Sequence, residues 1–253
     1  MIKWKLMLTS IPYMAIVIGL NYLLGTVIGF EGIIEFADVG LVLTGGIFLV
    51  VFMLAGTMSD YKESEKLPAE LACTLETIEE TMLAAASSKP DLNEKKMKAN
   101  LFEVTCDIYN CLYKKISYEQ TFTSISKLQS VIFQMEKLGS TSYATRMLGE
   151  VNALRKIVSR IGVISRTNFL STGYALLEVL IFAIIVLLLI SKFKSILAEY
   201  ILIGFVTLIY VYMYRLIQDI DDPFEYSESG APGASEIPLF PLEEYKERAK
   251  SRL

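Results

Sequence analysis

Histidine is absent from the 253 residues, which removes the commonest general base and metal ligand together with every Ser-His and Cys-His nucleophile arrangement. With no phosphate loop, dinucleotide fingerprint or paired carboxylates on a defined scaffold, the sequence reads as a non-enzyme. Cysteine is scarce: Cys73, Cys106 and Cys111 all fall in one charged stretch. Three thiols without histidine make neither a zinc site nor a disulfide framework, so they read as buried or idle. A positive field is missing too, since 24 basic residues face 28 acidic ones, which argues against nucleic acid as a partner.

Apolar residues are in excess, at 53% of the chain with a mean hydropathy of +0.45, more than an ordinary soluble fold carries. Residues 6–30 and 39–59 are uncharged, separated by a short link with Glu31, Glu35 and Asp38. Each is long enough for the roughly 20 residues that cross a bilayer. Residues 169–191, interrupted only by Glu178, and 196–214 repeat the pattern on either side of Lys192-Phe193-Lys194-Ser195. Lys3 and Lys5 precede the first run in the manner of a signal peptide, but that run is too long and lacks a cleavage pattern, so it is expected to remain.

Between the second and third runs the chain is charged, with apolar residues at helical spacing. The stripes are Leu71, Leu75, Ile78 and Met82; Leu101, Val104, Ile108 and Leu112; Ile125, Leu128, Ile132 and Met135; and Leu148, Val151, Leu154 and Val158. Breaks at Lys89-Pro90-Asp91 and Gly139-Ser140, each followed by a capping residue, predict three or four long helices and no strands. Lys62, Lys66, Arg155, Lys156, Arg160, Arg166 and Arg215, with Lys3 and Lys5, place both termini and this insert in the cytoplasm by the positive-inside rule, which only Lys192 and Lys194 violate.

The expected organisation is therefore an all-α, multi-pass cell-membrane protein. Residues 1–59 hold two transmembrane helices, 60–168 a helical cytoplasmic domain, 169–217 two further transmembrane helices and 218–253 a cytoplasmic tail. In the tail, 227–235 read as flexible, and 238–253 as a short charged helix that docks or stays loose.

Two local segments carry a family resemblance. Tyr61-Lys62-Glu63-Ser64-Glu65-Lys66, where the second span meets the cytoplasm, resembles the Tyr-Asp-Arg-Trp-Trp-Glu-Ala-Arg region of bestrophin channels, without its tryptophans and arginines. Ile220-Asp221-Asp222-Pro223-Phe224-Glu225 is similar to their Asn-Pro-Phe-Gly segment after the last span, and the order of spans and insert matches over the whole chain. The resemblance points to the bestrophin-like branch of prokaryotes and plants. It implies a homo-pentamer in membrane lipid, passing small monovalent ions through a central pore lined by the second helices, with a hydrophobic neck.

Phe48 and Phe52, four apart on one helix face with Gly45 and Gly56, are the candidate neck residues; packing against helices or lipid is the alternative. Bestrophins of animals bind calcium through acids after the proline, whereas here Asp219, Asp221 and Asp222 precede it and Glu225 and Glu228 follow. These form a candidate Ca²⁺ site or simply an acidic helix end; no other cofactor is expected. Glu178 is a candidate pore or buried polar group, while Glu199, nearer a span end, can snorkel. Gly25 and Gly29 have the spacing of a close helix contact. Two other readings stay open: a motor-stator-like proton channel subunit, and a membrane-anchored scaffold or sensor.

Overall fold

The computed structural model describes residues 4–167, 171–226 and 235–253. The predicted flexible stretch lies almost wholly outside them, as do Lys3 and Glu228. The chain divides into two compact units: Met1–Tyr61 with Asn168–Asp221, and Lys62–Thr167 with Asp222–Leu253.

The first unit holds four helices long and apolar enough to cross a membrane, making this a multi-pass membrane protein. They are α1 (Lys5–Tyr22), continued by a π-helical turn Leu23–Val27, α2 (Phe36–Ser64), which continues past the unit's last residue, α7 (Ser171–Leu189) and α8 (Ile196–Asp221). α8 is the element on which α1 and α7 both pack. The core joins Val17 of α1, Val50 and Met53 of α2, Leu177, Ile184 and Leu188 of α7, and Ile203, Tyr210 and Ile217 of α8. Closeness at one crossing depends on Gly46: a Cβ there would lie 2.6 Å from the Tyr210 hydroxyl and 2.8 Å from Ile184 Cδ1.

Strands were not expected, yet β1 (Ile34–Glu35) and β2 (Ser191–Lys192) form a minimal parallel pair joining the two short links. Gly32 permits it, with φ +78° and no room for a Cβ against the Ser191 carbonyl at 2.7 Å. Gly25 and Gly29 do not make the expected helix contact within this chain. A Cβ at either would meet open space, and Gly29 (φ +71°) lies beyond the π-helical turn. Glu199 does not snorkel unpaired either; it accepts a 2.8 Å hydrogen bond from Asn21.

The second unit contains α3 (Leu67–Ser88), α4 (Glu94–Leu112), α5 (Tyr118–Lys137), α6 (Thr141–Ile164) and α9 (Phe240–Ser251). Three of the predicted stripes are buried as read. The fourth is shifted: Leu148 faces outward, and Ala144 and Met147 join Val151, Leu154 and Val158 instead. Asn93 caps α4 by accepting from the Lys96 amide at 2.9 Å, and Ser117 with Gln120 forms a capping box on α5.

Ser140 does not cap α6 with its side chain. Its amide instead bonds the Met135 carbonyl at 2.8 Å, closing α5 behind Gly139 at φ +77°, a Schellman-type ending that uses the glycine's left-handed freedom.

The predicted tail helix docks. α9 lies across α3 and α4, burying Leu242, Tyr245 and Ala249. The Tyr245 hydroxyl donates to the Leu75 carbonyl at 3.3 Å and to Glu79 at 3.2 Å, and Arg252 reaches the same buried carboxylate at 3.0 Å.

Candidate pore face and polar sites

α2 presents two opposite stripes. Val39, Gly46, Val50, Met53 and Thr57 are buried, whereas Leu41, Gly45, Phe48, Phe52, Ala55 and Ser59 are exposed. At 100° per residue the centres of these stripes lie about 150° apart. Phe48 and Phe52 occupy the middle of the outward stripe, 72% and 63% exposed, so two large apolar side chains of the helix have little cover from their own chain.

Glu178 belongs to a different part of the unit. It accepts a hydrogen bond from Tyr214 of α8, whose oxygen in turn accepts from Gln218 Nε2 at 2.9 Å. Seven residues from the first residue of α7 and level with a tyrosine seven residues from the end of α8, it sits about 10 Å along its helix, two residues before the middle one. Around it a cleft of about 470 Å³ opens between α1, α7 and α8, with Tyr13, Tyr214, Arg215 and Gln218 at its polar end and Ile181, Phe182, Ile185 and Val211 along its floor. The Arg215 guanidinium stands over the Tyr13 ring, 5.1 Å from its centroid. An intramembrane carboxylate demands a partner, which is the signal that could have led to Tyr214; Arg215 served the sequence reading only as a topology marker.

The acidic residues do not converge: among the described residues no group of three His, Cys, Asp or Glu side chains is disposed to hold a metal ion. Asp219 and Asp221 lie in the last turn of α8. Asp222 accepts from the Phe224 amide at 3.3 Å and faces Lys114 at 3.8 Å, the work of a turn residue, and Glu225 is exposed.

The Pro223-Phe224 segment has a defined seat in the second unit. Phe224 is buried in the wall of a cleft of about 380 Å³ shared with Cys111, Tyr118, Ser165 and Arg166, and the Pro223 carbonyl accepts from the Ile237 amide at 3.1 Å. Arg166 stacks on Tyr118, 4.1 Å from the ring centroid, and the Tyr118 hydroxyl meets Ser165 at 3.2 Å. Burial pushes both the Tyr118 phenol and the Cys111 thiol above their ordinary pKa values, so both are neutral at physiological pH and the thiol is a poor nucleophile.

The other family-like segment, after Tyr61, is the salt-bridged end of α2 and the turn at Glu65-Lys66 that follows it. Lys62 pairs with Glu65 at 2.8 Å, and Glu63 accepts a two-pronged bond from Arg160, its Nε at 2.7 Å.

No protein-family model matches the sequence, and no curated protein is similar enough in sequence to match. Solved structures do match. A bacterial bestrophin homologue from Klebsiella pneumoniae is similar with a TM-score of 0.74 at 13% identity, over 98% of this chain and 97% of that one. Two single-residue variants of a bacterial bestrophin homologue from the same organism give TM-scores of 0.76 and 0.75, again at 13% identity, over 98% and 97% of this chain and 97% and 98% of theirs. Over nearly its whole length, at an identity too low for sequence to detect, this chain has the bestrophin fold.

Proposed function

We propose that the chain is a subunit of a homo-pentameric channel that passes small monovalent ions through a central pore lined by α2. The observation that carries this reading is the outward stripe of α2, with Phe48 and Phe52 at its centre and its own core on the opposite side. Lipid tails are as apolar as phenylalanine, so lipid alone gives no reason to gather two phenylalanines on the face farthest from the core; five copies around an axis do.

Two rings of five phenylalanines one helical turn apart make a constriction that wets or dewets as it widens or narrows, a gate that needs no charge. The positive residues Lys62, Lys66, Arg155, Lys156, Arg160 and Arg166 support a cytoplasmic setting for the second unit and for both termini.

The test is ion flux from liposomes holding purified protein of verified oligomer mass, with cation and anion gradients imposed separately. Wild-type protein is expected to pass one class of ion, and Phe52→Ala to pass it faster or without gating. A well-folded oligomer that passes neither ion, in wild-type or variant form, refutes the proposal.

A further inference from the structure

Arg215 is an unusual residue for its position. It lies in a membrane-spanning helix, and among the described residues its one polar or ring contact is the face of Tyr13; no carboxylate pairs with it. Tyr214, its neighbour in sequence, fixes Glu178 at the same level of the unit. The mouth of the 470 Å³ cleft therefore carries one guanidinium and one carboxylate, separate from each other, above an apolar floor of Ile181, Phe182, Ile185 and Val211.

A cation left without an anion near the membrane boundary is stabilised by a phosphate, and Arg is the side chain best suited to hold one. A ligand of net negative charge is disfavoured by Glu178 beside it. The complement of this pair is a molecule with a phosphate and an ammonium joined by a short linker, followed by acyl chains that fill the floor. From these charges and this shape we infer that the α1–α7–α8 cleft is a binding site for a phospholipid with a primary-ammonium zwitterionic head, phosphatidylethanolamine being the simplest. Its phosphate takes Arg215, its ammonium donates to Glu178, and one acyl chain lies along Phe182 and Val211. Phosphatidylcholine matches the charges but has no N–H to donate, and phosphatidylglycerol supplies the phosphate without the cation.

The site depends on the membrane setting of this unit and not on ion conduction, so it can be tested whether or not the protein is a channel. Full-length protein in mild detergent is offered equal amounts of phosphatidylethanolamine, phosphatidylcholine and phosphatidylglycerol, and bound lipid is counted by native mass spectrometry. Wild type is expected to retain phosphatidylethanolamine over the other two by roughly tenfold, the worth of one charge-assisted hydrogen bond.

Arg215→Gln is expected to lose retention of all three by a similar factor. Arg215→Lys keeps most of it, and Glu178→Gln levels phosphatidylethanolamine with phosphatidylcholine. Glycerophosphoethanolamine, the head group without chains, leaves the lipid in place. Equal retention by wild type and Arg215→Gln, both of native elution volume, overturns the inference. So does an absence of retained lipid together with cross-linking between copies through Phe182→Cys, which would show the cleft covered by another subunit.

Discussion

Gly46 offers the sharpest test of how α2 is held, because the cost of one methyl group can be worked out there. A Cβ at position 46 would stand 2.6 Å from the Tyr210 hydroxyl and 2.8 Å from Ile184 Cδ1, both closer than such atoms approach, and a tight 3.2 Å from Tyr210 Cε1. Tyr210 cannot yield freely, since its hydroxyl donates to the Leu43 carbonyl at 2.7 Å and its ring is buried. Gly46→Ala must therefore overpack the crossing, at about 1–3 kcal/mol. It must also loosen that hydrogen bond, at about 1 kcal/mol. Against this stands a gain of about 1 kcal/mol from replacing glycine within a helix, so the net loss is about 1–3 kcal/mol.

Gly45→Ala, one residue along and facing open space within the chain, takes the same helix gain without the clash. Tyr210→Phe removes the nearest obstructing atom and its hydrogen bond together. The double variant Gly46→Ala/Tyr210→Phe is then expected to lose about 1 kcal/mol less than the sum of the single losses. The assay is denaturant or thermal unfolding of each purified variant in one detergent. Gly46→Ala as stable as Gly45→Ala, or strict additivity in the double variant, refutes the packing argument.

Two further outcomes follow from the second unit. Arg252→Ala leaves Glu79, 4% exposed, with the Tyr245 hydroxyl as its remaining hydrogen-bond partner among the described residues. Because Arg252 is itself partly solvated, water can relieve part of the loss, and a cost of about 1–2 kcal/mol is expected, seen as faster hydrogen exchange confined to 240–251. Burial holds the Tyr226 and Tyr245 phenols above their ordinary value, as it does Tyr109, which also hydrogen-bonds Tyr113 and Glu243. An acid whose folded pKa is raised contributes stability that is complete below its unfolded pKa, about 10, and is lost as pH rises toward the folded value. This unit is thus expected to unfold above pH about 10, with the last part of the phenolate absorbance appearing together with loss of helix; complete phenolate formation before any loss of helix would contradict the burial.

The apolar runs and stripes were legible because hydrophobic burial imposes a period that a sequence displays directly. Leu71, Leu75 and Ile78 announce a buried helix face without any neighbour being known. What stayed hidden depends on pairs distant in sequence. Glu178 and Tyr214, or Gly46 and Tyr210, meet only because α2, α7 and α8 pack as they do, and neither residue of a pair carries a sign of the other. The break at Gly139-Ser140 was legible from the glycine, but the bond from the Ser140 amide to the Met135 carbonyl that closes α5 has no period to announce it. Leu148 was placed one residue off its stripe because Met147 satisfies the same helical period.

The exposed stripe of α2 leaves one question that stability measurements cannot reach: whether Phe48 and Phe52 face lipid or an aqueous axis. Geometry supplies the discriminating positions. Ala55 and Ser59 lie on the same stripe as the two phenylalanines, while Ile47 lies about 100° away around the helix and is also exposed. In a pore, water reaches the stripe past the constriction but not Ile47, which is covered by a neighbouring subunit or by lipid. In a lipid-facing helix Ala55 is as dry as Ile47, whereas Ser59, the last residue of the uncharged run, meets water in either case and serves as the reactive control. With Cys73, exposed in the native protein, first replaced by serine, a charged, membrane-impermeant thiol reagent is expected to modify Ala55→Cys and Ser59→Cys quickly and Ile47→Cys slowly. Phe52→Ala should speed any reaction at Gly45→Cys, on the far side of the neck. Equal and slow reaction at Ala55→Cys and Ile47→Cys would place the phenylalanines in lipid and leave α2 as an ordinary anchoring helix.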